Sequence, residues 1–140
     1  MGKIKAHEIG LKEKYKITGD LFEIILNLKL RKEVVDFFVG LITPSELLML
    51  ARRIQIARKL LEEKSYFEIK KELKVGNETI FRTDKWLNSR GEEYRAWIKN
   101  CIEKVDSQKK NKGGNKKSYD SWSLLNKYPE YQLWKELLGR

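Results

Sequence analysis

Apolar residues recur at three- and four-residue intervals along this chain, and no run alternates long enough to predict a strand. The spacing predicts helices only. Residues 1–19 are lysine-rich with weak periodicity and read as a frayed arm. Leu21, Ile24, Ile25 and Leu28 make one stripe, with Asp20 placed to cap it and Glu23 placed to close a capping box. A short helix over 33–39 follows. Thr43-Pro44-Ser45-Glu46 is the strongest local signal: a capping oxygen, a proline at the first helical position, and a glutamate at the third. The helix it opens is predicted to reach Glu62. Its apolar positions 47, 50, 51, 54, 57 and 61 repeat at helical spacing, and Leu48, Met49, Ile56 and Leu60 widen the stripe past one face. A helix apolar on more than one side is buried on more than one side. In so short a chain, a second subunit is the natural source of that cover.

Ser65-Tyr66-Phe67-Glu68 is a second capping box, opening a short helix to Leu73. Lys74-Val75-Gly76 reads as a tight turn, and Asn77 as the cap of a helix running to Leu87. Two short helices about a three-residue turn are the helix-turn-helix pattern. Such a turn favours glycine directly after the first helix, where φ is positive; Lys74 stands there at a cost of ~1 kcal/mol. A further amphipathic helix is expected over 91–105. The whole is expected to be all-α, with an arm at 1–19 and a helical domain at 20–106 carrying its helix-turn-helix at 65–87. A basic flexible linker at 107–117 and an aromatic helical tail at 118–140 complete it.

Charge sharpens this reading. The 140 residues carry 30 basic and 20 acidic side chains, net +10, which points to an anionic partner. Half of that excess sits in ten residues, QKKNKGGNKK at 108–117, either a solvated tether or an arm that meets DNA phosphates. One cysteine, Cys101, and one histidine, His7, leave no multi-cysteine metal site and little for histidine catalysis. No uncharged run is long enough to span a membrane. The start, MGKIKAHEIG, lacks the apolar stretch of a secretory signal, so a cytoplasmic protein is expected. Asp84, beside Arg82 and Lys85, reads as a surface ion pair rather than a base. Cys101 reads as a small apolar residue on its helix. No enzyme, cofactor or metal is expected.

A recognition helix places its first residues in the major groove while its partner helix crosses the backbone. Asn77, Glu78 and Thr79 lead that helix here, with Phe81, Arg82 and Lys85 further along; Lys70 and Lys71 on the preceding helix can meet phosphates. Asn pairs bidentately with adenine, Glu accepts from cytosine N4, and Thr meets a thymine methyl. The plainer roles also stand: Asn77 as a cap, Glu78 as a helix-terminus charge.

Residues 43–87, and FFVGLITPSELLMLARRIQIA at 37–57 above all, resemble the Trp repressor superfamily, in particular its YerC/YecD-like branch. The resemblance covers residues 20–88. It implies an intertwined, all-helical homodimer that binds double-stranded DNA through a symmetric pair of helix-turn-helix units. It also implies a ligand pocket. Thr43, Arg53 and Arg82 align with the threonine and two arginines that hold tryptophan in the repressor. Thr83 stands where that pocket has glycine, and Trp86 where it has serine. Both add volume, which argues against free tryptophan as the effector. The expected function is a sequence-specific transcriptional regulator, a repressor. The alternatives are a general nucleic-acid binder, or a protein–protein adaptor using residues 118–140.

Overall fold

A computed structural model of the chain describes residue 5 and residues 7–112. The tail expected at 118–140 and the end of the linker, 113–117, lie outside the described residues. Six helices and no strand occur among those described. The chain divides into two compact units, Met1–Thr43 and Pro44–Arg140.

The first unit holds α1 (Leu11–Asn27) and α2 (Arg31–Leu41). The start of α1 corrects two expectations. It begins inside the arm expected at 1–19, and Asp20 and Glu23 are interior helical residues rather than a capping box. Leu11, Tyr15, Thr18, Phe22 and Ile25 continue one stripe at alternating spacings of four and three. The lysines between them are good helix formers, so one helix spans both halves. Gly19 is tolerated inside it at ~1 kcal/mol. No residue of α1 is buried within the chain. In α2 the Glu33 carboxylate accepts from the backbone N–H of Lys29 (2.8 Å) and Leu30 (3.1 Å). Those two bonds hold Glu33 below the ordinary carboxylate pKa. Leu30 has no side-chain acceptor, so only the returning half of a capping box forms.

The second unit holds α3 (Pro44–Leu61), α4 (Tyr66–Leu73), α5 (Asn77–Leu87) and α6 (Gly91–Lys112). α3 starts with Pro44 at its first position and Glu46 in its first turn. It stops in a Schellman arrangement: the Lys64 N–H reaches the Lys59 carbonyl and the Glu63 N–H the Leu60 carbonyl, both at 3.0 Å. Glu63 takes the left-handed position, φ 59°, usually given to glycine. The core forms where the second half of α3 meets α4 and α5. Ile56, Ile69, Ile80 and Leu87 are fully buried, and Leu60 nearly so. Leu61, Tyr66, Leu73, Val75, Trp86 and Ile98 pack around them. The first half of α3 behaves differently: Leu48, Met49, Leu50 and Ile54 are exposed within the chain.

α6 runs past its expected end at 105 to Lys112, so 107–112 is helix where a flexible linker was expected. Gln108, Lys109 and Lys110 have high helix propensity without needing burial. Lysines near a helix C-terminus also complement its dipole. The Arg58 guanidinium donates to Asp106 at 2.9 Å, tying this part of α6 to α3.

Candidate nucleic-acid interface

The α4–α5 pair is built from local signals. Ser65 caps α4: its Oγ accepts from the Glu68 N–H (3.2 Å), and the Glu68 carboxylate accepts from the Ser65 N–H (2.7 Å) and hydroxyl (2.9 Å). The bond from the Ser65 N–H is the main reason Glu68 sits below its ordinary pKa, followed by that from its hydroxyl. Lys74 ends α4 in the left-handed conformation, φ 53° and ψ 47°, as the turn demands. The cap of α5 is Gly76 in extended conformation, with no side-chain hydrogen bond. Asn77 is therefore the first helical residue and not the cap. Its side chain is exposed, on the ridge that continues through Phe81 and Lys85 at four-residue spacing.

One strut sets these two helices against each other. The Tyr66 hydroxyl on α4 donates to the Asp84 carboxylate on α5 at 2.6 Å. That bond, helped by desolvation and by the Asp84 charge, pushes the Tyr66 phenol up to about 12. Asn88 Nδ2 donates to the other Asp84 oxygen at 2.7 Å. Asp84 is thus a buttress between helices, not the surface ion pair with Arg82 and Lys85 that its neighbours in sequence suggest.

Four of the expected contact residues meet across one groove. Tyr66, Phe67, Lys70, Asn77, Glu78 and Phe81 line an open hollow of about 550 Å³ beside the start of α5. Thr79 and Arg82 line a different hollow of about 400 Å³, with Met49, Arg52, Arg53, Val75 and again Glu78. Arg82 Nη2 and Nε donate to the same Glu78 oxygen at 2.6 and 3.1 Å, with both side chains over 70% exposed. Lys71 and Lys85 are exposed on the outer faces of α4 and α5. Phe67 was not among the expected contacts. Its signal was a large aromatic in the first turn of a short helix, one step off that helix's buried face.

Charge in this region is unevenly committed. All four carboxylates between residues 65 and 90 are engaged internally. Glu68 is in the α4 cap, Glu72 pairs with Lys59 (2.8 Å), Glu78 holds Arg82, and Asp84 holds Tyr66. Among the described residues, Lys70, Lys71, Lys74 and Lys85 carry no ion pair. Lys59 contrasts with them: bonding to Glu72 raises its pKa above the ordinary value, and Glu62 lies 3.8 Å from its Nζ.

A third hollow, about 490 Å³, is lined by Leu50, Arg53, Ile54, Arg82, Thr83 and Trp86. It gathers four of the five residues expected around a ligand; the fifth, Thr43, belongs to the first unit. Thr83 and Trp86 narrow this space without closing it, and both have their polar atoms occupied. The buried Thr83 hydroxyl donates to the Thr79 carbonyl at 2.9 Å. Trp86 Nε1 donates to the Tyr94 hydroxyl at 3.1 Å, with the two rings edge to face. Among the described residues, no group of His, Cys, Asp and Glu is placed to hold a metal ion. No helix there is long and apolar enough to cross a membrane.

Residues 18–102, more than half of the chain, match the family described as Trp repressor protein. The chain belongs to the Trp repressor family. A Bacillus subtilis (strain 168) relative, the uncharacterized protein YerC, is 37% identical over 79 residues, which is 56% of this chain and 76% of YerC. No solved structure matches at a significant level. The Trp repressor family is one of regulatory DNA-binding proteins rather than enzymes. Its matched span takes in all of α2 to α5 and therefore every element that lines the three hollows.

Proposed function

We propose that this protein is a sequence-specific regulator of transcription, a repressor, that binds double-stranded DNA as a homodimer. In this reading α4 and α5 are a helix-turn-helix, with the start of α5 in the major groove and α4 across the backbone. The observation that carries it is the set of four lysines, 70, 71, 74 and 85, left without ion pairs around a segment whose carboxylates are all engaged. Ammonium groups not held by the protein's own carboxylates are available to displace counterions from phosphates. The homodimer rests on a separate feature. Leu48, Met49, Leu50 and Ile54 on α3, and Leu11, Tyr15, Phe22 and Leu26 on α1, are exposed within one chain. Apolar surface on that scale marks an interface rather than a wetted face.

The test is a binding-site selection from random duplex DNA at one fixed salt concentration, paired with sedimentation equilibrium at micromolar protein. A recurring palindromic motif and twice the chain mass are expected. Retained DNA without an enriched motif would replace the specific regulator with a general nucleic-acid binder. No retained DNA would favour an adaptor working through residues 118–140, and a stable folded monomer would remove the dimer.

A further inference from the structure

Phe67 and Phe81 are 74% and 56% exposed, on different helices, and line one groove. Neither belongs to the core cluster. Each is set in a frame of unpaired positive charge. On α4, Phe67 shares a ridge with Lys70 and Lys71, at spacings of three and four, and Lys74 follows as the left-handed residue that ends the helix. On α5, Phe81 lies between Asn77 and Lys85, four residues from each. The groove between the rings also holds Lys70, Asn77 and Glu78. Two apolar rings, an amide and the Lys70 ammonium, with the Glu78 carboxylate held by Arg82 and the Tyr66 hydroxyl by Asp84, describe the surface that would cover them. Its rim is anionic, and its floor carries hydrogen-bonding edges with apolar groups beside them.

The major groove of duplex DNA has that composition. Phosphates line its edges, and the apolar group on its floor is the thymine 5-methyl, which phenylalanine contacts. Adenine, the base that an Asn side chain takes bidentately, always pairs with thymine and so places that methyl on the same floor. An asparagine and a phenylalanine one helical turn apart are therefore suited to one A·T-rich stretch. We infer that Phe67 and Phe81 are specificity-determining residues that recognise thymine through its 5-methyl group. The inference rests on the proposed DNA-binding reading and adds to it the chemical feature being read.

The test compares two duplexes of about thirty base pairs, alternating dA-dT and alternating dA-dU, which differ only in that methyl. Each is titrated against the full-length wild type and against Phe67→Ala, Phe81→Ala and the double variant, at one salt concentration. Burying one methyl is worth roughly a fourfold change in affinity. Wild type is expected to bind the thymine duplex at least about fourfold more tightly. At least one single variant should lose part of that preference and the double variant all of it. Both rings are exposed, so the variants should keep the wild-type circular dichroism and unfolding midpoint. Equal affinity of wild type for the two duplexes would overturn the inference and leave the DNA-binding reading standing. So would a methyl preference that survives in the double variant. Failure of wild type to bind either duplex would overturn the inference, and the reading beneath it would fall only if the selection from random duplexes also retained no DNA.

Discussion

Replacing Lys70, Lys71, Lys74 and Lys85 together by alanine tests whether uncommitted charge on α4 and α5 faces DNA. Each phosphate neutralised adds about −0.9 to the slope of log affinity against log salt. Four contacts per chain make the variant's slope shallower by up to about 3.6 per chain, or about 7 for a homodimer with both units engaged. Over a fourfold rise in salt, 3.6 in slope amounts to roughly a hundredfold in affinity. The internal control is Lys59→Ala. Lys59 carries the same kind of side chain, but Glu72 holds it at 2.8 Å with Glu62 close by. Its removal should leave the slope unchanged. Fluorescence anisotropy with a labelled duplex at five or so salt concentrations measures all three proteins, and circular dichroism checks that each is folded. An unchanged slope in the fourfold variant would refute the reasoning. So would a change in slope of about 0.9 or more per chain from Lys59→Ala, the amount expected of one phosphate contact.

Tyr66→Phe removes the strut to Asp84 and should cost about 1 kcal/mol in urea unfolding at neutral pH. Because the folded phenol is raised to about 12 from its ordinary 10.0, its contribution is fully present below pH 10 and is lost as pH climbs through 12; the variant should lose less stability over that alkaline range than wild type. Lys74→Gly relieves a left-handed backbone at φ 53° and should stabilise the fold by up to ~1 kcal/mol after the greater flexibility of glycine in the unfolded chain is set against it. A lower unfolding midpoint would show that glycine's flexibility outweighs the strain at this turn. Free L-tryptophan should give no heat of binding at millimolar concentration, because Thr83 and Trp86 narrow the hollow between Arg53 and Arg82 and have their polar atoms engaged. Saturable binding that Arg53→Ala abolishes would restore a tryptophan-dependent mechanism.

Features set by neighbours a few residues apart are legible in the amino-acid sequence. The Ser65–Glu68 cap, the proline start of α3 and the left-handed Lys74 each follow from side chains and backbone within one turn of one another. Helical periodicity likewise places α3, α4 and α5 to within a residue or two. Asn77 reads as a cap because glycine and asparagine both suit that position, and only the backbone shows that Gly76 takes it. The ends of α1 and α6 escape the pattern for a related reason. Lysine-rich segments with little to bury still have high helix propensity, and periodicity does not separate them from flexible arms.

What the tertiary structure decided is which charges and rings meet. Asp84 looks, from its neighbours, like a partner for Arg82 or Lys85, yet accepts from Tyr66, eighteen residues away. Arg58 finds Asp106 across forty-eight residues. Such pairs depend on how Ile56, Leu60, Ile69, Ile80 and Leu87, with Ile98 of α6 packed against them, seat four helices on one another, and no local spacing encodes those angles. The same packing brings Phe67 of α4 and Phe81 of α5 to one groove with Lys70 and Asn77. The sequence alone determined that these residues are helical and that the region is basic. Only the packed core determined which lysines are left uncommitted, because an ion pair needs its partner within about 4 Å, and distance in space is set by the fold rather than by position in the chain.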